Sequence, residues 1–166
     1  MKIEIVEQQF DPWQQVVDYK RDKLLNDPRI GASSVFLGTM RDYNEGEEIE
    51  SMFLEHYPDM TEKYLTEIVN VAIKKHKILD GLVIHRVGEI MPTDPIVLVA
   101  TWSEHREASF DATREIMESL KSEAPFWKKE TTNRGFKWVE SGSKNTKEEV
   151  INEVYKNSGS CLFWRS

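Results

Sequence analysis

Two long apolar runs, Leu82 to Val87 and Ile96 to Trp102, are joined by a turn region containing Gly88, Pro92, Asp94 and Pro95. Runs of this length, rich in Val and Ile and bounded by Gly and Pro, read as strands of a buried sheet. A helix is predicted directly afterwards, from about Glu104 to Lys121, because Ala108, Ala112, Ile116 and Leu120 recur every fourth residue and so form one apolar stripe. The upstream chain supplies further units of the same kind. Residues 2–6 alternate like a strand, and Trp13, Val16, Val17, Lys20 and Leu24 carry helical spacing that stops at Asn26-Asp27-Pro28. Gly31 opens a strand through Val35, Phe36 and Leu37, and 49–57 reads as another. Asp59 with Glu62 resembles a capping box ahead of Tyr64, Leu65, Ile68 and Ala72, with Gly81 closing that unit. The expected class is α+β with largely antiparallel pairing.

A chain of 166 residues is long enough for one ordinary domain without disulfides or a structural metal. The lone Cys161 allows no intrachain disulfide and fits a reducing compartment. The first ten residues lack the apolar run of a signal peptide, and no stretch has the length of a membrane span, so a cytoplasmic protein is expected. A net charge of −7 argues against a general nucleic-acid binder, which needs a broad basic face. The charge is nevertheless uneven. Lys121, Lys128, Lys129, Arg134 and Lys137 stand against Glu123 and Glu130 alone, a basic island that suits a small anion better than a polymer.

That island contains L-K-S-E-A-P-F-W-K-K-E at 120–130, where lysines flank a Pro125-Phe126-Trp127 wedge. A partly dry wall beside a lysine lowers its pKa toward the working range of a proton-transfer or oxyanion partner. The competing reading makes Phe126 and Trp127 core anchors in a loop whose lysines point at water. Lys121 also shares a stripe with Phe110 and Met117, where a lysine ordinarily snorkels. If Ser103 caps the last helix, His105 and Arg106 stand in its first turn, where the dipole disfavours cations by about 0.3 to 1 kcal/mol each. Either Glu104 and Glu107 offset this, or the helix start and the two cations hold an anion such as phosphate. The four histidines lie far apart and no metal-ligand spacing is present, so no metal is expected. Walker, G-x-G-x-x-G and G-x-S-x-G signatures are also missing.

The runs G-T-M-R at 38–41, L-E-H-Y-P-D-M-T-E-K at 54–63, I-H-R-V-G-E at 84–89, S-E-H-R-E-A-S-F at 103–110 and L-K-S-E-A-P-F-W-K-K-E at 120–130 together resemble the large, catalytic subunit of molybdopterin synthase. The resemblance implies an α/β hammerhead with an added antiparallel β subdomain. It also implies a sulfur transferase that converts cyclic pyranopterin monophosphate to molybdopterin, in molybdenum cofactor biosynthesis. The sulfur would come from the C-terminal Gly-Gly thiocarboxylate of a small ubiquitin-like subunit, with no cofactor, in a homodimer of large subunits within a heterotetramer.

Carried over by position, the resemblance makes Lys121 and Lys128 the catalytic pair. Thr39, Met40, Arg41, His105, Arg106, Lys129 and Glu130 join them in binding substrate. Arg41, His105 and Arg106 suit phosphate and pterin anchoring, Lys121 the reacting thiocarboxylate, and Lys128 substrate orientation; which lysine moves a proton stays open. Residues 1–140 are expected to form one catalytic domain and 141–166 a helical extension and tail. Two other functions remain open: a lysine-dependent enzyme on a different phosphorylated small molecule, and a noncatalytic partner-binding module.

Overall fold

The computed structural model describes residues 1–44 and 46–139. The expected extension at 141–166 lies outside the described residues. Among them the fold is mixed α+β, with three helices and two four-stranded sheets. The chain opens with β1 (Lys2–Val6), α1 (Pro12–Lys23), β2 (Ala32–Thr39), the short hairpin β3 (Tyr43–Asn44) and β4 (Glu47–Glu48), then β5 (Ser51–His56) and α2 (Pro58–His76). It continues through β6 (Asp80–Arg86), β7 (Gly88–Ile90), β8 (Pro95–Ser103), α3 (Arg106–Glu123), β9 (Phe126–Thr132) and β10 (Gly135–Val139).

The first sheet has the order β1-β6-β8-β2, parallel only between β1 and β6. The two apolar runs are its central strands, β6 and β8, covered on both faces, which is why they read as continuous rather than alternating. One face packs Val83, Val97 and Val99 against Leu65 and Val69 of α2 and Ala112, Ile116 and Leu120 of α3. The other packs Leu82, Ile84, Leu98 and Trp102 with Tyr19 of α1. The second sheet, β10-β9-β5-β7, is antiparallel throughout. Beneath it lies a smaller core of Met40, Ile49, Met52, Leu54 and Ile90.

Several local expectations change. Ser103 does not cap α3: His105 is the N-cap, without a side-chain cap bond, and the Ser103 hydroxyl donates to the His105 carbonyl at 2.6 Å. Pro58 starts α2 one residue before Asp59, so Tyr57 is the cap and no capping box forms. That helix ends on Lys77 in the left-handed region, φ 54°. Gly81 instead lies within β6, where an added Cβ would stand 3.3 Å from Val69 Cγ1. On α1, Tyr19 turns inward while Trp13 and Val17 stay exposed, because both lie about a third of a turn or more round the helix from Tyr19. Pro125-Phe126-Trp127 leads into a strand rather than a loop.

The topology gives the first sheet two distinct ends. In the antiparallel β2–β8 pair, Ala32 faces Ser103 at one end and Thr39 faces Pro95 at the other. Helix α3 leaves the Ser103 end and runs back over the sheet, so its C-terminus returns to the Thr39–Pro95 end.

Candidate active site

Strand alternation divides the basic island. In β9, Phe126, Lys128, Glu130 and Thr132 share one face and Trp127, Lys129 and Thr131 the other. Glu130 is 1% exposed, and a buried carboxylate is tolerated only when paired and hydrogen-bonded. Lys128 Nζ lies 2.5 Å from its Oε1. Asn44 Nδ2, from the β3–β4 hairpin, donates to Oε1 at 3.0 Å and reaches Oε2 at 3.3 Å. Glu130 is therefore occupied in holding Lys128. Lys129 points to the opposite face, its Nζ 3.9 Å above the Phe136 ring; the period-2 strand separates it from the pocket expected for it.

The other wall comes from the end of β2. The β2–β8 register shifts between Gly38 and Thr39, and the chain turns off the sheet through Thr39, Met40 and Arg41. Met40 is buried and fastened on both sides of its peptide: its N–H donates to the Asp94 carbonyl and its carbonyl accepts from the Thr93 N–H, each at 2.9 Å. Thr39, Met40, Arg41, Lys128 and Glu130 thus line one cavity of about 170 Å³. Tyr43, Asn44, Ile49, Met52 and Ile96 complete it. Among the described residues no carboxylate pairs with Arg41 or Lys121, so their charges are available to an anion.

Lys121 stands exposed in the last turn of α3, at the same end of the sheet as this cavity. His105 and Arg106 do not. They open α3 at the Ser103 end, beside Gly31, in a shallow depression shared with Glu104 and Glu107. Fifteen residues of helix separate Arg106 from Lys121, about 22 Å. Gly31 is required there, since a Cβ would meet the Glu104 carbonyl oxygen at 2.2 Å.

Tyr43 and Asn44 were not anticipated. Their segment, Y-N-E-G, has a turn signature but no chemical motif, and only tertiary contact with Glu130 gives Asn44 a role. Behind β9, the Phe126 ring stacks on His85 at 4.0 Å between centroids with 13° between planes. Burial pushes His85 down to about 4, and its Nδ1 lies 2.8 Å from the Arg86 carbonyl. A carbonyl only accepts, so Nδ1 carries the proton of a neutral ring. His56, tilted across from Phe126 at 6.4 Å, is also lowered by burial.

A family model described as MoaE protein matches residues 6–123. The chain belongs to the MoaE family. Among proteins similar to this MoaE-family chain, the molybdopterin synthase catalytic subunit of Ralstonia nicotianae is 54% identical over 114 residues, covering 69% of this chain and 65% of that protein. The subunit of the same name from Pseudomonas aeruginosa is 43% identical over 142 residues, 84% of this chain and 91% of the other. The crystal structure of molybdopterin synthase from Staphylococcus aureus superposes with a TM-score of 0.73 at 31% identity, over 82% of this chain and 96% of that one.

Proposed function

We propose that this MoaE-family chain is the catalytic subunit of a molybdopterin synthase. It converts cyclic pyranopterin monophosphate to molybdopterin with sulfur from the C-terminal thiocarboxylate of a small ubiquitin-like partner, in the cytoplasm. The observation that carries this reading is the pocket in which Glu130 and Asn44 hold Lys128 beside Arg41, with Lys121 at the same end of the sheet. Each transfer forms a carbon–sulfur bond on the pterin side chain as a carbon–oxygen bond there is lost, and water then cleaves the acyl–sulfur bond, leaving the partner's terminal glycine as a carboxylate. Negative charge passes onto that glycyl carbonyl oxygen on the way. Fixed cations at such a point stabilise the transition state more than the ground state. Lys121 is assigned to the reacting carbonyl, Lys128 to substrate orientation and Arg41 to the phosphate, since a guanidinium matches phosphate oxygens bidentately.

His105 and Arg106 enter the same chemistry through a homodimer. β2 is an open edge of its sheet, flanked by a groove containing Val35, Phe36, Phe110 and Met117, with Phe36 and Phe110 exposed. Two-fold pairing of β2 with its copy runs antiparallel and sets each Ala32 end beside the other copy's Thr39 end. His105 and Arg106 of one copy then face Arg41 and Lys128 of the next. In this reading residues 1–140 are one catalytic domain. The first sheet with its helices is the hammerhead body, the second sheet the added subdomain, and 141–166 an extension.

The test mixes the protein with a thiocarboxylated partner and cyclic pyranopterin monophosphate, and follows products by mass spectrometry. A product carrying two added sulfurs is expected. Unchanged substrate with a fully thiocarboxylated partner overturns the proposal.

A further inference from the structure

The I-H-R-V-G-E run at 84–89 contributes nothing to the pocket lining, yet it contains two buried residues of high chemical content, His85 and Arg86. Being consecutive on β6, they point to opposite faces. His85 turns to the α2–α3 side and lies flat on Phe126, two residues before Lys128 on the same face of β9. Arg86 turns the other way. Its Nη1 donates to Asp94 Oδ2 at 2.7 Å and its Nη2 to the Glu89 carbonyl at 3.0 Å.

Asp94 ends the Met91–Asp94 turn, and its carboxylate also accepts from the Met91 N–H. The backbone of that turn makes both hydrogen bonds to Met40, whose next residue is Arg41. Within the turn, Thr93 has φ 77°, a left-handed conformation that a β-branched residue adopts only when its surroundings impose it. Arg86 Nε is buried without a partner. An ion pair this dry is a poor source of stability compared with apolar side chains of the same volume. Its geometric effect is specific: it fixes a strained turn against the peptide that carries Arg41.

We infer that His85 and Arg86 are positioning residues that brace the two walls of the pocket, His85 setting Lys128 through Phe126 and Arg86 setting Arg41 through Asp94 and Met40. This rests on the functional reading above. The two arms separate kinetically. Arg41 holds phosphate in ground and transition states alike, so disturbing its support raises KM; disturbing Lys128, which orients the substrate for attack, misplaces the reacting groups and lowers kcat.

The experiment measures turnover with the thiocarboxylated partner and cyclic pyranopterin monophosphate, alongside thermal midpoints, for Asp94→Asn, Arg86→Lys, His85→Leu and His85→Phe. Arg41→Ala and Lys128→Ala serve as controls. Asp94→Asn and Arg86→Lys are expected to raise KM about tenfold with kcat within about twofold. His85→Leu is expected to lower kcat about tenfold at unchanged KM, and His85→Phe, which keeps a flat ring on Phe126, to recover most of it. Wild-type KM and kcat in folded Asp94→Asn and His85→Leu overturn the brace, as does a loss that only follows the folded fraction without the split. Should His85→Leu not fold, wild-type kinetics in Asp94→Asn and Arg86→Lys suffice to overturn it. If Arg41→Ala and Lys128→Ala themselves turn over normally, the functional assignment fails instead.

Discussion

The two ends of the first sheet present cations in opposite ways. At the Thr39–Pro95 end, Lys128 is held by a buried carboxylate, which is itself held by Asn44, and Arg41 follows a peptide bonded on both sides. At the Ser103 end, His105 and Arg106 are exposed on a helix start without a side-chain cap. The first arrangement has already met the entropic and desolvation costs of ordering charge, whereas the second still has to be ordered by whatever binds it. Under the proposed function, a site built this way keeps chemistry at the rigid end and leaves the other for assembly. Substitutions at the two ends should therefore differ in kind as well as in size.

The largest effect is expected at Lys121. Lys121→Ala should slow dithiolene formation by about 10² to 10³ in single turnover, the usual cost of an oxyanion or proton-transfer partner. Its thermal midpoint should hold, because the side chain is exposed. Near-normal turnover removes Lys121 from the chemistry.

Next comes an effect of pH on the rigid end alone. The buried His85 ring, held down to about 4 by desolvation, stays neutral in the fold, whereas an unfolded histidine protonates near 6.5. Its contribution is complete above 6.5 and is lost as pH falls toward 4, by about 3 kcal/mol at the lower limit. Chemical denaturation of wild type and His85→Phe between pH 7 and 4 should show a shallower fall in the variant. Equal slopes contradict this assignment.

Lys128→Met should cost about 2 kcal/mol of stability in a denaturant titration, since it leaves the Glu130 carboxylate buried with Asn44 alone. Glu130→Gln should cost less, because Lys128 remains about one-third exposed and can reach water. The reverse order breaks the view that Glu130 serves Lys128.

At the open end, Arg106→Ala should raise KM about tenfold with little change in the thermal midpoint. Mixing Arg106→Ala and Lys128→Ala subunits sharpens the comparison further. If the two ends meet across a two-fold dimer, random exchange restores about a quarter of wild-type activity, since half the dimers carry one intact site of two. No recovery in verified mixed dimers places both ends' functions within one chain. The smallest effect is expected from Thr93→Gly, which relieves the positive φ and should raise stability by about 0.5 kcal/mol after glycine's entropic cost. A fall in the thermal midpoint means the turn is not strained.

Local sequence determined the elements whose signals are periodic: the central strands β6 and β8, the apolar stripe of α3, and Lys121 near the end of that helix. Five ordered motifs also sufficed to place the chain in its family. Helix starts were less legible, because Ser103 and Asp59 have capping chemistry, but the cap position depends on where the backbone turns. Tertiary structure alone decided which site residues meet. Lys128 and Lys129 are adjacent in sequence and face opposite ways, since a strand alternates its side chains. Asn44 lies 86 residues from Glu130, and no spacing rule connects a hairpin to the strand it packs on. Arg106 and Lys121 share a helix yet stand at opposite ends of the sheet. Sequence supplies the residue types and their local period; which charges share a cavity depends on the path of the backbone between them.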